Sequence, residues 1–143
     1  MRGFLMTATL VATTLVSAPA SAQQNTGKRF SVALEGEQVT FGGDLDGTGT
    51  ARIRINPGRG EICYTLTAQM IQTATLAHIH EGPEGGNGPV IVDFIPPASG
   101  SSSGCVSVGR ELAKEIVQTP SDYYVVVHNA EFPAGALRGQ LGR

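Results

Sequence analysis

Apolar and polar residues alternate along most of the chain after residue 28. In the clearest stretch, the apolar Ala51, Ile53 and Ile55 are separated by the charged Arg52 and Arg54. Successive side chains of a strand point to opposite faces, so this pattern predicts strands with one buried face. Strands are predicted at residues 29–36, 50–56, 61–68, 74–81, 89–95, 105–108, 122–129 and 136–141.

Only one segment has the spacing of a helix. Leu112, Ile116 and Val117 recur at helical intervals within residues 109–119, and Pro120 follows directly. Proline cannot continue a helix, so it predicts the end of this one.

Turn residues separate the predicted strands at intervals of about 8–12 residues, which is typical of all-β domains. We therefore expect an antiparallel Greek-key β-sandwich of about eight strands with one short helix. A closed barrel is the main alternative. The segment 96–104, P-P-A-S-G-S-S-S-G, is predicted to be a mobile low-complexity loop.

The first residues have the pattern of a secretory signal peptide. Arg2 precedes an uncharged apolar run over 3–16, and S-A-P-A-S-A follows. Small residues at these positions predict cleavage after Ala22. The predicted organisation is a signal peptide at 1–22, a disordered tail at 23–28 and one domain at 29–143. An uncleaved anchor is the alternative, but the run is shorter than the about 20 residues that span a bilayer. We expect an exported protein, periplasmic or extracellular, without a membrane span in the mature chain.

Two cysteines, Cys63 and Cys105, are present in this exported chain. Exported proteins fold in an oxidising compartment, so a disulfide is expected. Two reduced, buried thiols are the alternative. The formal net charge is −2, and no basic cluster stands out along the chain. Nucleic acid is therefore not expected as a partner.

The chain has three histidines, His78, His80 and His128. His78 and His80 are two positions apart on one predicted strand, so both point to the same face. If the strand of His128 is a neighbour, the three imidazoles could bind one metal ion, with copper or zinc preferred. The alternative is structural: each ring donates its N–H to a carbonyl in the turns at 82–88 or 129–135.

Other combinations of polar residues predict less. Asp44 and Asp46 resemble the start of a calcium loop, but the acidic residue required downstream is missing. Carboxylates at positions 81, 84, 93 and 131 have no spacing that specifies an acid–base pair, so no catalytic residue is predicted. Arg138 is expected to pair with a carboxylate such as Glu81 or Glu131, and a side chain that faces solvent is the alternative.

Three stretches resemble the CHRD domain, a family named from chordin that also occurs as single-domain exported microbial proteins. They are G-R-G-E-I-C-Y-T-L at 58–66, A-H-I-H-E-G-P-E-G-G-N-G-P-V-I-V at 77–92 and Y-Y-V-V-V-H-N-A-E-F-P-A-G-A-L-R-G-Q-L at 123–141. The resemblance covers about 29–141. It implies an immunoglobulin-like all-β domain outside the cytoplasm, without an established enzymatic activity.

A shorter resemblance is to the metal-binding strands of copper–zinc superoxide dismutases. H-I-H-E at 78–81 is similar to their H-V-H-E, and V-V-H at 126–128 is similar to their V-V-H-E. Those enzymes need further histidines for a zinc subsite, and this chain has none left.

Two functions are therefore expected. The first is a non-enzymatic binding or structural module for an unknown protein or small ligand, with its contact surface at the turns 82–88 and 129–135. The alternative is a copper-binding protein, either a carrier or a dismutase-like redox enzyme, that uses His78, His80 and His128.

Overall fold

A computed structural model describes residues 26–142, so the predicted signal peptide lies outside the described residues. The strands are β1 (Lys28–Glu35), β2 (Thr48–Asn56), β3 (Glu61–Gln69), β4 (Ala74–Glu81), β5 (Val90–Phe94), β6 (Ser101–Ser107), β7 (Tyr123–Asn129) and β8 (Leu137–Gln140). One α-helix, α1 (Arg110–Gln118), and two short 3-10 helices, Gly36–Gln38 and Pro120–Asp122, complete the fold. Within residues 26–142, no helix has the length and apolar character needed to cross a membrane.

The eight strands form one antiparallel sheet in the order β5-β4-β7-β8-β1-β2-β3-β6. This sheet curls into a nearly closed barrel, so the expectation of a two-layer, immunoglobulin-like sandwich was wrong. The reason lies in β8, which pairs with β7 on one side and with β1 on the other. Because β8 joins what would be two separate layers, the strands continue as one curved sheet.

Strands β5 and β6 are the two edges of the barrel, and side chains span the gap between them. The backbone N–H of Ile95 donates to the Tyr64 hydroxyl at 3.0 Å, and the Ser102 hydroxyl donates to the Ile95 carbonyl at 2.7 Å. The rings of Tyr64 and Phe94 stack at 4.1 Å between centroids. These contacts hold the edges together where the backbone ladder is interrupted.

The barrel interior is filled by the apolar members of each alternating strand. Ile53 lies opposite Tyr64 and Ile55 opposite Ile62 in the ladder between β2 and β3, and all four are buried. Fully burying an aliphatic side chain of this size stabilises a fold by about 1.5–3 kcal/mol. Helix α1 contacts the same two strands and buries Ala113 and Ile116.

Strand β7 differs from most of the others because all seven of its residues are buried, as are all four residues of β8. Val125 and Val127 belong to the interior core, whereas Tyr124 and Val126 point to the outer face. The outer face is covered by loop residues: Gly88 donates its N–H to the Tyr124 hydroxyl, for example. The continuous apolar run at 123–127 therefore reflects a strand that is covered on both faces.

The serine-rich segment forms a strand, contrary to the loop predicted at 96–104. Residues 101–107 make up β6 and pair with β3 from Thr67↔Ser101 to Glu61↔Ser107. Serine offers no apolar alternation, so the pattern could not reveal a strand whose support is the backbone ladder. In that ladder Cys63 and Cys105 are direct partners, and their sulfurs are bonded at 2.07 Å. The predicted disulfide is confirmed.

Candidate metal centre

The three histidines meet on the outer face of the barrel. On β4, Ala77 and Ile79 are fully buried in the interior, which places His78 and His80 on the other face. Strand β7 pairs with β4. His128 lies opposite Leu76, which is two residues from His78. The strands are thus adjacent, as a shared site requires.

The rings are close enough to act together. Their centroids are 5.1 Å apart for His78 and His128, 5.6 Å for His78 and His80, and 6.0 Å for His80 and His128. One nitrogen from each ring lies within 4.8 Å of the other two. Two nitrogens bound about 2.05 Å from one ion are about 3.3–4.1 Å apart. Side-chain movements of about 1 Å would bring two nitrogens at the 4.8 Å limit into that range.

His80 is held with one ring nitrogen free. Its Nδ1–H donates to the Gly88 carbonyl at 2.9 Å, so the neutral form of this ring has its lone pair on Nε2. That Nε2 is buried and has no hydrogen-bond partner. A buried polar atom without a partner costs about 1–3 kcal/mol, and few folded proteins retain one without a reason.

His128 is oriented in the same way by the other turn. Its Nδ1–H donates to the Pro133 carbonyl at 3.0 Å, which leaves the lone pair on Nε2. The structural hydrogen bonds considered as an alternative are therefore present at His80 and His128. They use only the Nδ1 atoms, and they leave the two Nε2 atoms available to a metal. Ring N–H bonds to carbonyls are also the usual way in which proteins orient metal-binding histidines.

His78 completes the cluster and has two contacts that compete for one proton. Its Nδ1 is 3.3 Å from Nε2 of His128, and its Nε2 is 3.4 Å from a carboxylate oxygen of Asp93. A neutral imidazole has a single N–H and can satisfy only one of these acceptors. If a cation were bound to Nδ1 of His78, the proton of this ring would be on Nε2 and could be donated to Asp93. The Nε2 lone pair of His128 would bind the same cation.

Electrostatics favours the neutral form of His78 and His128. Burial lowers the pKa of His78, the nearby His80 lowers it further, and Asp93 opposes both. Burial also lowers the pKa of His128, against the hydrogen bond to Pro133, which raises it. Metal binding requires unprotonated imidazoles, so these shifts keep ligand atoms available at neutral pH.

The pattern of alternation did not indicate the residues that support this cluster. The Tyr124 ring stacks on the His80 ring at 5.1 Å with 15° between the planes. Arg138 is 2% exposed, and its guanidinium carbon lies 3.7 Å from the centre of the Tyr124 ring. The only sequence signal was their place within the stretch at 123–141 that also contains His128.

The predicted partners of Arg138, Glu81 or Glu131, were wrong. The guanidinium instead donates to the carbonyls of Gly86 at 2.6 Å and Pro83 at 2.9 Å. It also donates to the Thr40 hydroxyl and the Gln140 side-chain carbonyl. The arginine therefore binds the loop at 82–88, which also supplies the Gly88 carbonyl.

A second group of candidate ligands, Glu61, Cys63 and Cys105, cannot offer thiolates because the two cysteines form the disulfide. At the start of the supposed calcium loop, Asp44 accepts the backbone N–H of Asp46 at 3.2 Å. That bond is typical of aspartate in a turn.

Fold and site together define an all-β, barrel-like domain with a three-histidine cluster under two loops. Residues 30–141 match the CHRD domain family. Since the match covers most of the 143 residues, the chain belongs to this family. No curated protein and no solved structure matches the chain significantly.

Proposed function

We propose that this CHRD-domain protein binds a copper ion through His78, His80 and His128. The observation that supports the proposal best is the His80 Nε2 atom, which is buried and lacks a partner, on a ring that contributes one nitrogen to a group of three within 4.8 Å of one another. A bound ion would give this atom its missing partner.

Copper is preferred because of the ligand set. Three neutral imidazoles suit copper and zinc, whereas magnesium and calcium prefer oxygen ligands. For a given nitrogen site, Cu(II) binds more tightly than Zn(II). The separation of 3.3 Å between His78 Nδ1 and His128 Nε2 is within the range for two nitrogens bound to one ion, whether copper or zinc.

Copper storage or transfer is a better proposal than dismutase chemistry. The whole sequence has three histidines, and all of them are used in the proposed site. None is left for the second, zinc-binding subsite of the dismutases that the strands resemble. Export is part of the proposal and is supported by the apolar segment at 3–16 and by the disulfide between Cys63 and Cys105.

A metal-free binding or structural module is the competing function. The carbonyl bonds at His80 and His128 support it, because they would order the two turns without any ion. Those turns cover the histidines, so both functions place the active surface at the same part of the barrel.

Copper titration of the purified protein distinguishes copper binding from the metal-free module. Wild type should bind one equivalent of copper, and His80→Ala should bind it at least about 100-fold more weakly because one of three ligands is lost. Glu111→Ala on the exposed face of α1 is the matched control and should behave like wild type. Equal, weak binding by wild type and His80→Ala would leave the metal-free module as the function.

A further inference from the structure

Arg138 holds the loop at 82–88 through hydrogen bonds from its guanidinium. Its side chain is almost completely buried and donates to the carbonyls of Pro83 and Gly86. A charged side chain is costly to bury, and here the cost is offset by hydrogen bonds and by the face of the Tyr124 ring. Thr40 accepts from the same guanidinium and donates to the Gly85 carbonyl at 3.3 Å. Positions 83 and 86 of the loop are thus bound by the guanidinium directly, and position 85 through Thr40.

Tyr124 forms the second link between Arg138 and the histidines. Its ring contacts the guanidinium and stacks on the ring of His80. Its hydroxyl accepts the backbone N–H of Gly88 at 3.0 Å. Tyr124 therefore positions both His80 and the residue that His80 binds.

Both the backbone N–H and the carbonyl of Gly88 are hydrogen-bonded to side chains. The N–H is bound by Tyr124, while the carbonyl accepts the Nδ1–H of His80. A Cβ atom at position 88 would collide with the Glu81 carbonyl, so only glycine lets the backbone lie this close to β4. The position of this one carbonyl decides which nitrogen of His80 carries the proton.

We propose that Arg138 is a positioning residue of the histidine cluster. It fixes the loop at 82–88 and the Tyr124 ring, and these hold the Gly88 carbonyl where it selects the His80 tautomer with a free Nε2. Its relevance to copper rests on the proposed function. The selection of the tautomer does not, because it takes place in the metal-free protein.

His128 provides an internal control for this proposal. Its Nδ1–H is bound by Pro133, which lies in the other turn. Loss of the Arg138 contacts should therefore change the tautomer of His80 and leave that of His128 unchanged. General unfolding would change both.

The test is nitrogen-15 NMR of the histidine rings in metal-free protein, which reports the protonated nitrogen of each ring. Wild type should show Nδ1–H for His80 and His128. Arg138→Gln should give a mixture of tautomers at His80 only. Tyr124→Phe, which keeps the ring and removes the acceptor for Gly88, serves if Arg138→Gln does not fold. If folded Arg138→Gln leaves the His80 tautomer unchanged from wild type, the positioning role is refuted. If only Tyr124→Phe folds, an unchanged His80 tautomer in that variant refutes it.

Copper titration of the same variants adds the second measurement. Loss of a group that orients a ligand typically weakens metal binding by about 10–100-fold, so a decrease in this range is expected. If wild type does not bind copper, the proposed function fails, and the NMR result still decides the role of Arg138. If wild type binds copper and both variants bind it equally well, the positioning role in metal binding is refuted.

Discussion

Nδ1 of His78 lies 3.3 Å from Nε2 of His128, although fifty positions separate the two residues in the chain. The register between β4 and β7 brings them together, with His78 opposite Val126 and Leu76 opposite His128. A slip of one residue would turn His128 to the inner face of the barrel. The cluster therefore depends on the pairing of these two strands as much as on the histidines themselves.

Copper should stabilise the protein against unfolding. A ligand that binds only the folded state adds about 2.7 kcal/mol to the free energy of unfolding when its free concentration is 100 times its Kd. Thermal unfolding of wild type with and without copper measures this effect. The melting temperature of His128→Ala should not respond to copper at the same concentration, and an equal rise in both proteins would place the ion elsewhere.

Acidification should destabilise the metal-free protein between pH 7 and pH 5. The folded pKa values of His78 and His128 are lowered from 6.5, the value expected in the unfolded chain. As the pH falls through 6.5, the unfolded chain takes up protons that the folded chain does not, so the free energy of unfolding decreases. The loss ends once the pH is below the lowered pKa values.

Urea unfolding midpoints at several pH values would measure this dependence. His128→Gln removes one of the two groups, so its midpoint should change less between pH 7 and pH 5 than that of wild type. Parallel profiles for the two proteins would contradict the assignment of the effect to this cluster.

Asp93→Asn should weaken copper binding by less than about 10-fold. The Asp93 carboxylate is 3.4 Å from Nε2 of His78 and orients that ring, but its side chain is 86% exposed. Water weakens interactions of exposed charges, so the loss should be smaller than that from a ligand substitution. Isothermal titration of Asp93→Asn beside His80→Ala gives the comparison. A loss as large as that of His80→Ala would show that Asp93 binds the ion directly.

Removing the disulfide should lower stability without affecting the histidines. Closing a loop of 42 positions stabilises a protein by about 3–4 kcal/mol in the chain-entropy model. A Cys63→Ser, Cys105→Ser double variant should show this loss in urea unfolding. The bridge joins β3 and β6, whereas the cluster lies on β4 and β7, so the copper affinity of the folded variant should equal that of wild type. A reduced affinity would reveal coupling between the two halves of the sheet.

Gly88→Ala should destabilise the fold by about 1–3 kcal/mol because the added methyl group would collide with the Glu81 carbonyl. Gly109→Ala is a suitable control, since a Cβ at that position meets nothing within 4 Å. Urea unfolding of both variants measures the difference. Equal stability would mean that the loop can move away from β4 without cost.

The alternating strands could be predicted because each has one apolar face, as Ile53 and Ile55 on β2 illustrate. The disulfide could be predicted from the expected export and from the count of two cysteines. The three histidines could be selected because two share a strand face, and because the third lies on a strand that could be its neighbour. These features depend on local pattern or on residue chemistry alone.

Long-range geometry accounts for what the sequence did not reveal. Barrel and sandwich have the same strand pattern, and they differ in whether β8 pairs with both β7 and β1. The strand at 101–107 has no apolar face that could show alternation. The partners of Arg138 are mainly loop carbonyls, and every residue has a carbonyl, so side-chain chemistry could not identify them.

The position of β8 has a consequence for the order of assembly. Without residues 137–140, the strand order divides into two separate sheets of β5-β4-β7 and β1-β2-β3-β6. Because β8 follows the other seven strands in the chain, a growing polypeptide cannot join the two sheets until those seven have been synthesised. Closure of the barrel is therefore a late step of assembly.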